Sequence, residues 1–448
     1  MKRTLVVSDL HLGGSSGAAV LERPAAREAL LAALAGVERL VLLGDLIELR
    51  HGRRSEALAR ARPFFAQLGR AFAGREVVVL AGNHDHALIE EWRRRRDEDG
   101  AQAPMELEQR MAPAEASSMV AAMAEWAAPA RVSVAYPGLW LREDVYATHG
   151  HYLDCHLSVP TMECLGIGMT ARSLGKRTSE LESVADYEGV IAPVYAWIDA
   201  VARQAPTGSA LNGQSTVRMW RALGGDRDNA ERGGRTRGSG TGRGEGPGRH
   251  GAPGLRDAPG RNGDRRCRDA PTRNEDSGHD HQGEPAIDAG RTGNAADSGG
   301  PAALAALGPA LRRRALAGAF PVAVAALNRL GLGTFKADVS APELRRAGLR
   351  AMGEVAGRLG LGNAHVIFGH THRAGPRSQD NGGEWLAGCG ARLLNTGCWT
   401  YDAYFLRGGP GESPYWPGGA VLVEEEGAPQ LLRLLDGVPA ELLRPDRA

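Results

Sequence analysis

Five short aliphatic runs, each leading into a polar cluster, constrain this chain more than any other feature. Residues 4–8 (TLVVS) run into Asp9-Leu10-His11, and residues 40–43 (LVLL) into Gly44-Asp45. Residues 77–80 (VVVL) are followed by Gly82-Asn83-His84-Asp85, residues 145–148 by His149-Gly150-His151, and residues 365–368 (HVIF) by Gly369-His370-Thr371-His372. Short apolar runs bounded by Gly and polar residues are the pattern of buried strands. Helical stretches alternate with them: residues 24–35 with Pro near the start, 55–72 with Ser as N-cap, and 342–359. That alternation predicts an α/β fold with substantial parallel pairing. After Leu394 the texture changes. Short strands are expected at 394–396, 404–406, 420–424 and 430–434, as an antiparallel continuation.

In open α/β sheets ligands bind at the carboxyl ends of the strands, so the five polar clusters should converge on one site. Carboxylate, amide oxygen and imidazole together suit divalent metals with mixed oxygen and nitrogen ligands. Residues i and i+2 of an extended segment point the same way, so Asp9 with His11, and His370 with His372, can each present two ligands. Gly44, Gly82, Gly150 and Gly369 remove side chains where backbone must approach the site.

Length and charge narrow the class further. The 448 residues suffice for two or three domains, and 42% of them are apolar. A net charge of +1 argues against nucleic acid or an anionic membrane as the main partner. Only three residues are Lys, so nearly all the positive charge is Arg, a codon bias before it is a function. Five scattered cysteines give no disulfide framework. The opening MKRTLVVSDLHLGG is not a signal peptide, and no stretch reaches the roughly 18 apolar residues of a membrane span. A soluble, cytoplasmic protein is the expectation.

Residues 224–300 stand apart: their only large aliphatics are Leu255 and Ile287, and they hold no Phe, Tyr or Trp. Such a segment cannot offset its backbone entropy by burial and is expected to be disordered. Arg dominates from 232 to 268 and acids from 269 to 297. A tolerated surface insertion is one reading, an RG-rich segment touching RNA the other. The domain plan is then a core in two parts, 1–155 and 341–440. A helical cap in two pieces, 156–223 and 301–340, lies between them, with 224–300 hanging from it.

The ordered set D-x-H, G-D, G-N-H-D, H-G-H and G-H-T-H resembles the calcineurin-like metallophosphoesterase superfamily over residues 4–155 and about 361–400. The resemblance implies a four-layer α/β/β/α sandwich around two metals. It places Asp9, His11 and His372 on one metal and Asn83, His149 and His370 on the other, with Asp45 bridging both. His84 would be the catalytic histidine facing the leaving group, and Asp85 its support. Residues 8–12, 44–48, 369–373 and 395–399 are most similar to bacterial enzymes that cleave the pyrophosphate of UDP-2,3-diacylglucosamine, which implies a cap holding acyl chains. His84 stands where that group usually has Arg, and Cys398 where an acid is common.

The chemistry of the residues agrees. Two metals roughly 3.5–4 Å apart can bind both an attacking hydroxide and the phosphoryl oxygens, which suits displacement at phosphorus. A non-ligand histidine suits the leaving group's need for a proton. The expected activity is therefore hydrolysis of a phosphoester or pyrophosphate, with two divalent ions as cofactors: Mn first, with Fe, Zn, Ni and Co also compatible. The expected partner is a small phosphorylated substrate, such as a nucleotide or lipid-linked diphosphate. No specific nucleic-acid partner and no transmembrane segment are expected, and peripheral membrane contact stays open. The alternative is a non-catalytic scaffold of the same fold that binds a protein or RNA.

Other residues carry two readings each. Arg373 can bind a substrate phosphate or form a surface salt bridge. Glu48 is either support for the site or the exposed start of a helix. His151 and Asp154 read as capping or solvent-exposed residues. Residues 92–96 (WRRRR), flanked by acids, read as a solvated helical face with Glu90–Arg94 and Glu91–Arg95 pairs. Residues 315–330, almost wholly apolar around Pro321, read as core or as the wall of a greasy groove.

Overall fold

The computed structural model describes residues 2–99, 104–204, 321–336, 338, 341–403, 405–406 and 409–445. The expected disordered stretch 224–300 lies outside the described residues, as do 205–223 and 301–320 of the expected cap.

Ten strands are described: β1 (Thr4–Val7), β2 (Arg39–Leu43), β3 (Glu76–Leu80), β4 (Glu108–Met111), β5 (Arg131–Arg142), β6 (Val145–Thr148), β7 (His365–Phe368), β8 (Arg392–Asn395), β9 (Gly419–Val423) and β10 (Gln430–Arg433). They run in the order β10-β9-β1-β2-β3-β5-β6-β7-β8, with β4 alongside β5. β1, β2, β3 and the first half of β5 are parallel, as are β6, β7 and β8. The 12-residue β5 joins the two sets, pairing parallel with β3 at Arg131–Val134 and antiparallel with β6 from Gly138 onward.

The strands sort their side chains with period two. Leu5 and Val7, Leu40 and Leu42, and Val77 and Val79 join one apolar cluster, whereas Val6, Val41 and Leu43, and Val78 and Leu80 join another. The second cluster also takes Leu139, Val145, Ala147, Ile367 and Leu394, so it is the layer between the two halves of the sheet. Tyr146, Val366 and Phe368 point the opposite way, into a third cluster. Both faces of the central parallel strands are thus covered, as such strands require. Helices α1 (Pro24–Ala33), α2 (Arg54–Ala71), α3 (Glu90–Asp99), α4 (Pro113–Ala116) and α5 (Ser118–Trp126) belong to the first half. α1, α2 and α5 supply Leu30, Phe65 and Val120 to the first cluster. α6 (Met162–Ser173), α7 (Val184–Gln204) and α8 (Ala341–Arg358) supply Ile167, Tyr187, Ile191 and Met352 to the third. The result is α/β/β/α, the expected fold.

Four expectations are corrected. Residues 404–406 are not a strand: Phe405 lies in a turn, Leu406 has no regular structure, and residue 404 is not described. Of residues 394–396 the first two end β8, which pairs parallel with β7, and Thr396 lies past it, so only β9 and β10 form the antiparallel continuation. Residues 321–329 are helical, but only Val324 is buried among them, while Val322 is 71% exposed. Finally, β4 and β5 had no counterpart in the sequence reading. Pro137-Gly138 interrupts the alternation of β5 at the point where it changes partners.

On α3 the four arginines are not one solvated face. Arg93 turns inward to the buried Glu188, 3.3 Å away, while Glu90 pairs with Arg54 and Glu91 accepts a hydrogen bond from Ser118.

Candidate metal centre

The polar clusters meet where the strand ends of both sheet halves converge. Five of the six non-glycine residues with positive φ among the described residues are Asp9, Asp45, His11, His370 and His372, with φ between 46° and 65°. Left-handed backbone at such residues costs energy and persists where surrounding structure holds it, commonly at functional sites. Here backbone hydrogen bonds hold it: Asp9 N donates to Gly44 O, and His11 N to Asp45 O. The two i, i+2 pairs therefore reach the site through left-handed kinks beyond β1 and β7, not through strand alternation.

Asp9, His11 and His372 form one group of facing donor atoms, and Asp45, His149 and His370 a second. His372 Nε2 lies 3.2 Å from Asp9 Oδ1 and 3.2 Å from His11 Nε2. Asn83 Oδ1 lies 3.1 Å from His149 Nε2 and 3.0 Å from His370 Nδ1. Asp45 Oδ2 faces both groups, at 3.7 Å from His11 Nε2 and 3.4 Å from His149 Nε2.

Three of the four imidazoles have their other nitrogen held by an acceptor, and His372 Nδ1 lies 3.5 Å from Thr400 Oγ1. His149 Nδ1 lies 2.9 Å from the carbonyl of Leu43, His370 Nε2 lies 3.0 Å from Asp154 Oδ1, and His11 Nδ1 lies 3.1 Å from Glu48 Oε2. Fixing one ring nitrogen with an acceptor aims the other as a lone pair, the usual arrangement of metal-ligating histidines. His11 Nε2 and His372 Nε2 face each other at 3.2 Å, and with Asp9 they form a group that could hold a cation. A third grouping, His11–Glu48–His84, also clusters, but its shared nitrogens are the Nδ1 atoms. Glu48 orients the two rings there.

Electrostatics point the same way. Burial pushes the Asp45 carboxyl up, yet His149, His84 and His11 hold it well below the usual carboxylate range. Burial likewise opposes ionisation of Glu48, and His84 and His11 prevail, holding it well below. Burial lowers His149, but Asp45 overrides it and raises the imidazole to about 9. Carboxylates that stay anionic while buried among histidines suit divalent cations.

Two glycines make the approach possible. A Cβ on Gly82 would lie 2.2 Å from Asp45 Oδ1 and 2.8 Å from His149 Nε2, and one on Gly44 would lie 2.5 Å from the His149 ring.

His84 sits beside the two groups, its Nδ1 2.8 Å from Glu48 Oε2 and its side chain 20% exposed. It lines a cavity of about 400 Å³ together with Asn83 and His370. Asp85 is fully buried and points away from that cavity into backbone: it accepts from the amides of Gly82, Asp45, Leu46 and Ile47. Burial, then the nearby Asp45 charge, raise its carboxyl to about 6. Asp85 is therefore a positioning residue for the Asp45 loop.

The remaining residues sort plainly. Glu48 is buried support and not an exposed helix start. Asp154 and His151 are buried, not solvent-exposed; Asp154 orients His370, and the His151 ring stacks on Tyr136. Arg373 is 5% exposed, paired with Asp380 at 2.6 Å and stacked over Trp385. Asn395, at the end of β8, carries no ligand-type pattern of its own in the sequence. Its Nδ2 donates to the carbonyl of Gly369 at 2.7 Å and fixes the loop bearing both histidines.

Two sheet halves packed face to face between helices, with histidines and aspartates at the parallel strand ends, define a metallophosphoesterase fold. Residues 2–169 match the calcineurin-like phosphoesterases. Among curated proteins none matches the chain. The family match ends within α6, so His370 and His372 join the site from beyond it.

Proposed function

We propose that this chain is a two-metal phosphohydrolase that cleaves a phosphoester or pyrophosphate carrying an apolar group. The observation that carries the reading is Asp45, whose Oδ2 lies within 3.7 Å of a ring nitrogen from each histidine group. Asp9, His11 and His372 would hold one divalent ion and Asn83, His149 and His370 the other, with Asp45 shared. When bound, such ions supply charge to the phosphoryl oxygens and acidify a water for attack at neutral pH. His84 is the group placed to give a proton to the departing oxygen: no metal-group nitrogen is claimed from it, and Glu48 fixes its ring.

The cavity supports the choice of substrate. Beyond His84 and Asn83 its apolar walls include Leu157, Val159, Met162, Trp197, Ile198 and Leu344, from α6, α7, α8 and the segment before α6, with Arg50, His51, Thr161 and Glu163 among the polar lining. A wall of that composition favours an aliphatic group or a ring face next to the phosphate. A lipid-linked diphosphate or a nucleotide fits that description.

The test is hydrolysis of p-nitrophenyl phosphate and bis-p-nitrophenyl phosphate with added Mn²⁺, repeated after EDTA and with Asp45→Ala. Activity that requires both metal and Asp45 supports the reading, and the preferred ester separates monoesterase from diesterase. A chain that binds no divalent metal by elemental analysis would overturn it in favour of a scaffold.

A further inference from the structure

A second cleft, of about 1010 Å³, shares no lining residue with the cavity at the metal centre. Among the described residues, seven Arg and Lys side chains line it and one acid, Glu354. α6 and the turn after it bring Arg172, Lys176 and Arg177, residues 321–336 bring Arg329 and Lys336, and α8 brings Arg350 and Arg358. Asp186 pairs with Lys176, Glu343 with Lys336 and Arg350, and Glu354 with Arg358. Those acids leave the face with a surplus of positive charge, although the chain as a whole carries only +1.

The same elements expose large apolar side chains. Met169 is 56% exposed and Leu174 55% on α6 and just after it, and Val322 (71%) and Leu330 (55%) follow on the neighbouring helix. The two elements are one body: Arg172 Nη1 donates to Leu330 O at 2.7 Å, and Cys164, Val324 and Phe335 pack together beneath. Exposed aliphatic side chains interleaved with cations are the arrangement that inserts at a bilayer interface while neutralising anionic headgroups.

We propose that this face docks the protein on an anionic lipid surface. Single-stranded nucleic acid is the less suited polyanion, because such sites stack bases on aromatic rings and, among the described residues, no Phe, Tyr or Trp lines the cleft. The aliphatic residues would also be idle against RNA, whereas they add apolar burial to the electrostatic attraction at a membrane.

The full chain should cosediment with vesicles of phosphatidylcholine mixed with phosphatidylglycerol and not with phosphatidylcholine alone, and added salt should weaken binding. The pair Arg177→Glu with Arg329→Glu should reduce binding by about fivefold for each charge removed. Met169→Glu with Leu330→Glu should reduce it as well, and both pairs should keep wild-type circular dichroism and wild-type metal-dependent hydrolysis of a soluble ester. Equal binding to neutral and anionic vesicles, charge reversals without effect, or binding through the same arginines to an RNA oligonucleotide but not to vesicles would each overturn the proposal. Sedimentation reads binding alone, so the result stands whatever the chain hydrolyses.

Discussion

Glu48 Oε2 holds His84 at 2.8 Å and His11 at 3.1 Å, so one buried oxygen orients both the candidate proton donor and a candidate metal ligand. Glu48→Gln keeps an acceptor but removes the charge. It should lower kcat or metal affinity by about 10–100-fold, the range found for outer partners of ligating histidines. Steady-state kinetics alongside metal titration checks both, and a variant unchanged in each would deny Glu48 this role.

His84 and Asp45 should separate cleanly. His84→Ala should cut turnover by roughly 10²–10⁴ while leaving metal content intact, because general-acid assistance is lost and no ligand is. Asp45→Ala should lose metal as well as activity. Elemental analysis of the purified variants decides it: an emptied site in His84→Ala would mean the ligands have been assigned wrongly.

Gly82→Ala puts a methyl group 2.2 Å from Asp45 Oδ1, contact that something must relieve. Overpacking of this kind costs about 1–3 kcal/mol, and here the displaced atoms are the shared carboxylate and His149. The variant should melt earlier and bind metal more weakly, both readable by calorimetry with and without Mn²⁺.

Arg373→Ala should act on stability. The guanidinium is paired with Asp380 and buried against Trp385, and removing one partner of a buried pair costs about 3–5 kcal/mol. Denaturant unfolding should show the loss while KM of the folded variant stays near wild type. A raised KM with unchanged stability would return Arg373 to a phosphate-binding role.

Glu188 links α7 to the core: Tyr136 and Tyr152 donate to its Oε1 at 2.6 and 2.7 Å, and Arg93 lies 3.3 Å from Oε2. Burial raises its pKa, but His86, Arg93 and Tyr136 overcome it and hold the group at about 2. A carboxyl depressed on folding stabilises the native state above its ordinary pKa, and that contribution fades as pH falls from about 4.5 towards 2. Glu188→Gln should therefore be less stable than wild type at pH 6, with the gap closing towards pH 2. A constant gap across that window in urea midpoints would assign the effect to packing instead.

Much of the architecture was legible in the chain itself. The runs at 4–8, 40–43, 77–80, 145–148 and 365–368 read as strands because their aliphatic content and polar borders are local properties, and β1, β2, β3, β6 and β7 lie on them. The polar clusters that follow could be expected to meet because parallel strands share one carboxyl end.

Tertiary structure decided the rest. β5 is one strand only because it changes partners at Pro137-Gly138, and a partner change has no local signature. Asp154 and Glu48 look like ordinary surface acids in sequence, since burial depends on what packs over a residue from elsewhere; His370 comes from 216 positions beyond Asp154 to pair with it. Residues 321–330 show the converse. Their apolar composition suggested core, but composition fixes only the cost of exposure, and the fold leaves Val322 and Leu330 facing out. The sequence determined which side chains could do chemistry and that the five aliphatic runs would be strands, because both follow from residue type and spacing. Which acids stand behind which histidines, and which apolar surface stays uncovered, depended on contacts between distant segments that only the folded chain brings together.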